Sequence, residues 1–282
     1  MRRLYYTDNN PKSSFWDVMW STRTIEQELE ACKIETAPRI LFLRLLPKNG
    51  KIIDAGCGLG KWVLFLTKKG YKVIGVDNNK IAIEKLKKFD SSLKLEAGDI
   101  LNLDFPENFF DAYISMGVVE HFEEGPLAVL KEAYRVLKPN GLIFLSTPTV
   151  NIIRKIFIQS ALTIILRVFQ LIRNIKIKNR KKKKLKKKKY YHFIEYRYTL
   201  KELQDFLEKS NFKLLKAVPH DFHDSKNHSI GLGVDFPFLK KKNSVNFELN
   251  FIGKILLRIL DGISPWFACA SVLCVGKSLK KF

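Results

Sequence analysis

Between Ile52 and Trp62 the chain reads IIDAGCGLGKW: a β-branched run ending on an acid, glycines at alternate positions, and the start of a helix near Lys61. Glycine there permits a tight turn and lets a ligand approach the backbone. Val73-Ile74-Gly75-Val76-Asp77 then puts a carboxylate at the tip of the next strand, where it can accept hydrogen bonds from both hydroxyls of a ribose. Gly98-Asp99-Ile100 closes a third strand with another acid. Three strand tips facing one crevice are how an open α/β sheet makes a ligand site, so a nucleoside-type ligand is expected. A bare strand–turn–helix would need only the glycines; the acid at Asp77 argues against it. The loop lacks the GxGxxG spacing that seats a diphosphate on a helix N-terminus. It is no P-loop either, because Gly60-Lys61 is followed by Trp62.

Around this loop the pattern alternates between strands and amphipathic helices. Strands are expected at Lys51–Ala55, Lys72–Val76, Leu93–Ala97, Phe110–Met116 and Leu142–Thr147. Helices are expected at Lys61–Lys69, Asn79–Phe89 and Leu127–Leu137, the last closed by Lys138-Pro139-Asn140-Gly141. Such alternation argues an α/β fold, a doubly wound parallel sheet with helices on both faces. Residues 1–50 read as a helical lead-in, with an aromatic segment around Trp16 and Trp20 and one helical stretch from about Thr24 to Leu46. Residues 51–150 form the core, 151–190 an insertion, and 191–282 its C-terminal completion. In that last part Thr199 caps a helix to Lys209, Phe212–Val218 and Ala268–Val275 are strands, Phe251–Leu260 is a short helix, and 219–250 are irregular.

The series Asp54–Gly60, Asp77, Gly98-Asp99-Ile100, Phe110–Phe122 (FDAYISMGVVEHF) and Leu137–Leu142 (LKPNGL) resembles the successive motifs of class I S-adenosylmethionine-dependent methyltransferases, closest to the small-molecule and quinone-type branch. The resemblance covers roughly residues 40–150 and resumes at 190–218 and 265–278. It implies a Rossmann-like sheet of seven strands, the last antiparallel at Ala268–Val275, with the insertion following strand five. It implies that Gly56, Gly58 and Gly60 cradle the methionine end of S-adenosylmethionine, with Asp54 ordering the loop. Asp77 then holds the ribose, Asn78 lies beside the adenine, and Asp99 with the Ile100 backbone binds its amine. Met116 and Gly117 line the floor near the methyl group.

Methyl transfer chiefly needs proximity and in-line geometry, and a base only where the acceptor loses a proton. His121, after the fourth strand, is the first candidate, since histidine titrates near neutral pH; shaping the pocket by a backbone hydrogen bond is its plainer role. His192 is the second, where related enzymes re-enter the core. His220, His223 and His228, with Asp221 and Asp224, have no metal-ligand spacing, so they read as polar surface and no metal is expected. Trp16 and Trp20 read as core packing rather than as a cofactor lid.

The formal charge of +22 points to an anionic partner, and the run Lys178–Lys189 alone holds ten basic residues and no acid. Before it, Ile153, Phe157, Ala161, Ile164, Val168, Ile172 and Ile175 share a helical face that Arg154 and Lys176 interrupt. An apolar face followed by lysines suits an anionic membrane surface; a nucleic-acid arm needs no such face, and the run lacks interleaved aromatics, while the plainest alternative is a solvated loop. The longest uncharged piece, Ile156–Leu166, is too short to span a bilayer. Four cysteines at scattered spacings fit a reducing cytoplasm, and MRRLYYTDNNPK is followed by no apolar run of a secretory signal. The expectation is therefore a cytoplasmic, peripherally membrane-associated enzyme with a small or lipid-like acceptor, methylated at oxygen or carbon. The rivals are an RNA or protein methyltransferase, whose amino-methylation tetrad is absent from Ser115-Met116-Gly117-Val118-Val119, and a non-catalytic membrane scaffold, which the intact glycines and Asp77 disfavour.

Overall fold

The computed structural model describes residues 2–8, 15–159, 190–221, 227–242, 244 and 247–281. Apolar runs buried on both faces set its centre: β2 (Lys51–Ala55), β3 (Lys72–Asp77) and β5 (Phe110–Met116). β4 (Lys94–Ala97) lies at one edge and β6 (Leu137–Pro148) beyond β5, all five parallel. β8 (Phe212–His220) and β9 (Ser271–Ser278) complete a seven-stranded sheet in the order β4-β3-β2-β5-β6-β9-β8, with β9 antiparallel to both neighbours. This is the Rossmann-like sheet expected, its last strand antiparallel. The chain runs outward from β2 through β3 to β4, then returns to β5, so the order reverses between β2 and β5. A crevice opens at the strand ends at such a reversal.

Successive strand residues point to opposite faces. Ile52, Ala112, Ile114 and Phe144 pack on one side against α4 (Lys61–Lys68) and α5 (Lys80–Phe89). Ile53, Tyr113, Ile143 and Leu145 pack on the other against α6 (Leu127–Val136) and α8 (Leu200–Lys209). Each fully buried side chain of this size contributes roughly 1.5–3 kcal/mol. Thr199 caps α8 through a reciprocal pair with Glu202, as its spacing suggested.

The N-terminal region departs from a plain helical lead-in. β1 (Arg2–Asp8) pairs antiparallel with β7 (Tyr190–Arg197), and neither strand was expected. A two-stranded ribbon is marginal on its own, so its pairing comes from distant chain rather than local pattern. After α1 (Phe15–Thr22), the single stretch expected from Thr24 to Leu46 divides into α2 (Ile25–Ile34) and α3 (Thr36–Leu45). The break is Glu35, at ψ 83°, three residues before Pro38, which lacks an N–H and is tolerated only in a first turn.

Other corrections are local. β6 begins at Leu137 and runs through the expected turn, with Asn140 left-handed at φ 62° and a register shift opposite Phe110 and Ala112. β9 lies three residues later than expected. The stretch 219–250 contains α9 (Ile230–Asp235) and a 3-10 turn at Pro237–Leu239, and α10 (Phe251–Ile263) continues beyond Leu260.

α7 (Ile152–Gln159) begins the insertion. Arg154 does not interrupt an outward apolar face: it is buried, its guanidinium bonded to Asp235 at 2.7 Å and to the Thr149 carbonyl at 2.6 Å, while Ile152 and Ile156 are exposed. The rest of the expected amphipathic segment and the lysine run lie outside the described residues. Among the described residues no helix is long and apolar enough to cross a membrane.

Candidate functional site

At the ends of β2, β3 and β5 the loops enclose a cavity of about 210 Å³. Of the residues proposed from sequence, Gly56, Asp77, Asn78, Asp99, Ile100, Gly117 and His121 line it. Asp54, Gly58, Gly60, Met116 and His192 are not on its wall. Asp54 is buried below the loop, Gly60 sits against Leu86 at the start of α4, and His192 lies on β7 opposite Tyr6. Trp16 and Trp20, read from sequence as core packing, line the cavity from α1, stacked with ring centroids 5.8 Å apart, while Trp20 also packs against the core as that reading had it. The sequence signal for a lid was two tryptophans one helical turn apart in the segment before the core.

The glycine loop is built by backbone. The amides of Gly56 and Cys57 both donate to the Val76 carbonyl, tying the tip of β2 to β3. Gly56 has φ +80°, and a Cβ there would lie 2.6 Å from Val118. Gly58 has φ +52°, and a Cβ would strike the Trp20 ring at 2.8 Å. The Gly58 and Asn79 amides donate to the two Asp77 oxygens, each at 2.8 Å, which fixes the carboxylate at the cavity wall. Asn79 also caps α5 and donates to Asp17 of α1 at 2.7 Å, while Lys85 binds the terminal carbonyls of α1. A cation at a helix C-terminus is favourable, so the lid is anchored where it meets the glycine loop.

Two acids give the site its field. Burial raises the Asp77 carboxyl above its ordinary value, against the amide hydrogen bonds that oppose the rise. Burial and the neighbouring Asp77 charge push Asp54 up to about 7. Asp54 Oδ2 has no hydrogen-bond partner among the described residues. A cationic ligand above this pair offsets the cost of two buried carboxylates.

On the cavity wall, His121 Nδ1 lies 2.5 Å from the Ile194 carbonyl oxygen. Nδ1–H therefore donates, and Nε2 carries the lone pair of the neutral ring. Burial lowers the His121 pKa, which favours that neutral form. Burial raises the adjacent Glu120 carboxyl well above its usual range, and its Oε1 lies 3.9 Å from His121 Nε2.

A buried chain of polar groups, missed from sequence, runs beside the site. Ser146 Oγ lies 3.1 Å from His220 Nδ1, His220 Nε2 lies 3.3 Å from Glu35 Oε2, and Glu35 pairs with Lys61. His220 is thus internal, not polar surface, and Asp221 is buried as well, accepting from Ser229 and from the Ile230 amide that opens α9. His223 and Asp224 lie outside the described residues, among which no cluster could hold a metal ion.

Residues 53–145 match a family model described as a methyltransferase domain. This part of the chain is a methyltransferase domain. The chain is 31% identical over 157 residues to a sterol 24-C-methyltransferase of Pneumocystis carinii, covering 50% of this chain and 40% of the relative. It is 35% identical over 128 residues to a demethylmenaquinone methyltransferase of Staphylococcus saprophyticus, covering 42% and 54%. The chain thus spans about half the length of these curated relatives. A solved S-adenosylmethionine-dependent methyltransferase from Methanosarcina mazei superposes with a TM-score of 0.55 at 18% identity, covering 86% of this chain and 98% of that one. A chain of the Haloferax volcanii complex between the Trm112 methyltransferase activator and a methyltransferase superposes with a TM-score of 0.63 at 13% identity, covering 95% and 99%. At those identities the structures establish the fold alone.

The cofactor implied for this methyltransferase domain is S-adenosylmethionine, and the residues present fit it. The cradle at Gly56 leaves no room for a Cβ, and the buried Asp54–Asp77 pair has an acceptor atom to spare for a cation.

Proposed function

We propose that the protein transfers a methyl group from S-adenosylmethionine to a small or lipid-like acceptor, at oxygen or carbon, at the cytoplasmic surface of a membrane. The observation that carries this reading is that an adenosine-type carboxylate, Asp77, and the base candidate His121 line one cavity. The relatives' names, a sterol and a demethylmenaquinone methyltransferase, favour an apolar acceptor. The basic, apolar insertion at 151–190 favours a lipid surface as its source.

When bound, the cofactor supplies an electrophilic methyl on a sulfonium. Asp77 holds the ribose, with Asn78, Asp99 and the Ile100 backbone at the adenine. Gly56 lets the chain approach the methionine end, with Asp54 beneath it. Trp16 and Trp20 exclude water above. Where the acceptor is a hydroxyl or an acidic carbon, Nε2 of His121 takes its proton, because Nδ1 is already committed to Ile194.

Incubation with donor carrying a labelled methyl group, in the presence of a membrane lipid extract, tests the proposal. Label recovered in the organic phase is the expected result. Label confined to RNA or protein contradicts it.

A further inference from the structure

Helix α10 turns outward a stripe that a helix ordinarily buries. Phe251, Ile252, Ile255, Ile259 and Ile263 are all exposed, Phe251 by 78% and Ile263 by 67%. Their spacing places them on one face, shared with Arg258 and Gly262. The opposite face, Gly253 and Leu257, is buried against Leu239 and Leu249. A Cβ at Gly253 would lie 2.7 Å from the Leu239 carbonyl oxygen, so the helix sits hard on its support and cannot roll to hide the stripe. Asn250 caps the helix and also donates to the Phe238 carbonyl, which sets Phe238, 74% exposed, at the N-terminal end of the same surface.

Charge identifies what covers it. The exposed stripe holds a cation, Arg258, and no acid, and Lys241 and Lys242 are exposed in the approach to the helix. Glu248, the acid at that end, is engaged by Lys241 and Lys254 at 3.1 and 3.2 Å. A second copy placed face to face by a two-fold axis would set these cations against themselves. The chain's own segment 160–189 carries many basic residues and no acid, so it brings the same sign. An anionic bilayer offers both an apolar layer and opposite charge. The 13-residue helix is about 20 Å long, too short to span one.

We infer that α10 and Phe238 form a membrane-docking face that lies in the headgroup–acyl boundary of an anionic bilayer, the isoleucines and phenylalanines inward and Arg258 with the loop lysines at the phosphates. This deepens the membrane part of the proposed function but requires neither methyl transfer nor the 160–189 segment.

Flotation of the full chain with vesicles of phosphatidylcholine and phosphatidylglycerol tests it, against Ile255→Glu/Ile259→Glu and Arg258→Glu. Both sites are exposed, so the melting temperature and donor binding should stay at wild-type values. The first variant should bind at least about tenfold more weakly and the second less tightly only where phosphatidylglycerol is present. Equal flotation of the wild type and the isoleucine variant overturns the inference. So does a lowered melting temperature in that variant, which marks the face as internal packing, or a wild-type dimer that the variant dissociates. Donor binding on the same samples reports separately on the methyl-transfer reading.

Discussion

The Trp16 ring stands edge-on to the His121 imidazole, with 4.6 Å between centroids and 80° between planes. One contact thus joins the lid helix α1 to the wall that carries the base candidate. An aromatic contact of this kind is worth about 0.5–1.5 kcal/mol beyond its burial. Trp16→Ala should weaken S-adenosylmethionine binding by roughly tenfold, the equivalent of about 1.4 kcal/mol. The melting temperature should hardly move, because α1 buries none of its residues. Calorimetric titration beside a thermal melt separates the two, and a large melting loss with unchanged affinity would make Trp16 core packing after all.

His121 should act in its neutral form. Its folded pKa is lowered by burial, so turnover should rise as pH increases through a value below the ordinary histidine range and then level off. His121→Asn should lower kcat by roughly 10²–10⁴-fold, leave the donor Kd near wild type, and abolish the acid limb of the pH profile. A variant with wild-type kcat and the same limb reduces the residue to shaping the pocket.

Much of this arrangement was legible in the chain, for a physical reason. Asp77 and Gly56 are fixed by backbone demands, a strand tip and a left-handed turn, which leave few residue choices and so a strong local signature. Lys51–Ala55 and Phe110–Met116 could be bounded because strands buried on both faces are apolar runs between turns. What the chain concealed depends on partners far away in sequence. β1 exists only because β7 pairs with it, and Trp16 becomes a lid only when Asn79 and Lys85 dock α1. His220 looked like one of three scattered histidines until β8 brought it between Ser146 and Glu35. Arg154 looked like a flaw in an apolar face, yet it turns inward to Asp235.

Asp54 links donor binding to protons. Its folded pKa is raised to about 7, so the uncharged acid favours the folded state below the ordinary carboxylate range, and that contribution is lost as pH rises through about 7. A bound sulfonium favours the carboxylate, so binding should release a proton near pH 6–7 and tighten with rising pH. Titrations in buffers of different ionisation enthalpy should show the release, and Asp54→Asn should abolish it. Proton uptake, or none, in the wild type would contradict the assignment.

Lys61 holds Glu35 ionised in the interior. Burial alone would raise the Glu35 carboxyl, but Lys61 and the His220 hydrogen bond more than offset it and hold it at about 2. Breaking one partner of a buried pair costs about 3–5 kcal/mol. Lys61→Met should therefore be strongly destabilising at neutral pH. The stabilisation from Glu35 is present above the ordinary carboxylate pKa and fades as pH falls towards 2, so the gap between variant and wild type should narrow in acid. Denaturant melts at both pH values check this, and a gap that is constant with pH would rule out an electrostatic origin.

The most direct measurement is calorimetric titration of S-adenosylmethionine into the wild type and Asp77→Ala. Hydrogen bonds to a charged group contribute about 1.5–3 kcal/mol each, so losing the pair to the ribose should lower affinity by roughly a hundredfold or more. Saturable binding to the wild type with this loss in the variant is the predicted result. Equal affinity in both proteins, or no binding to the wild type, would contradict the account.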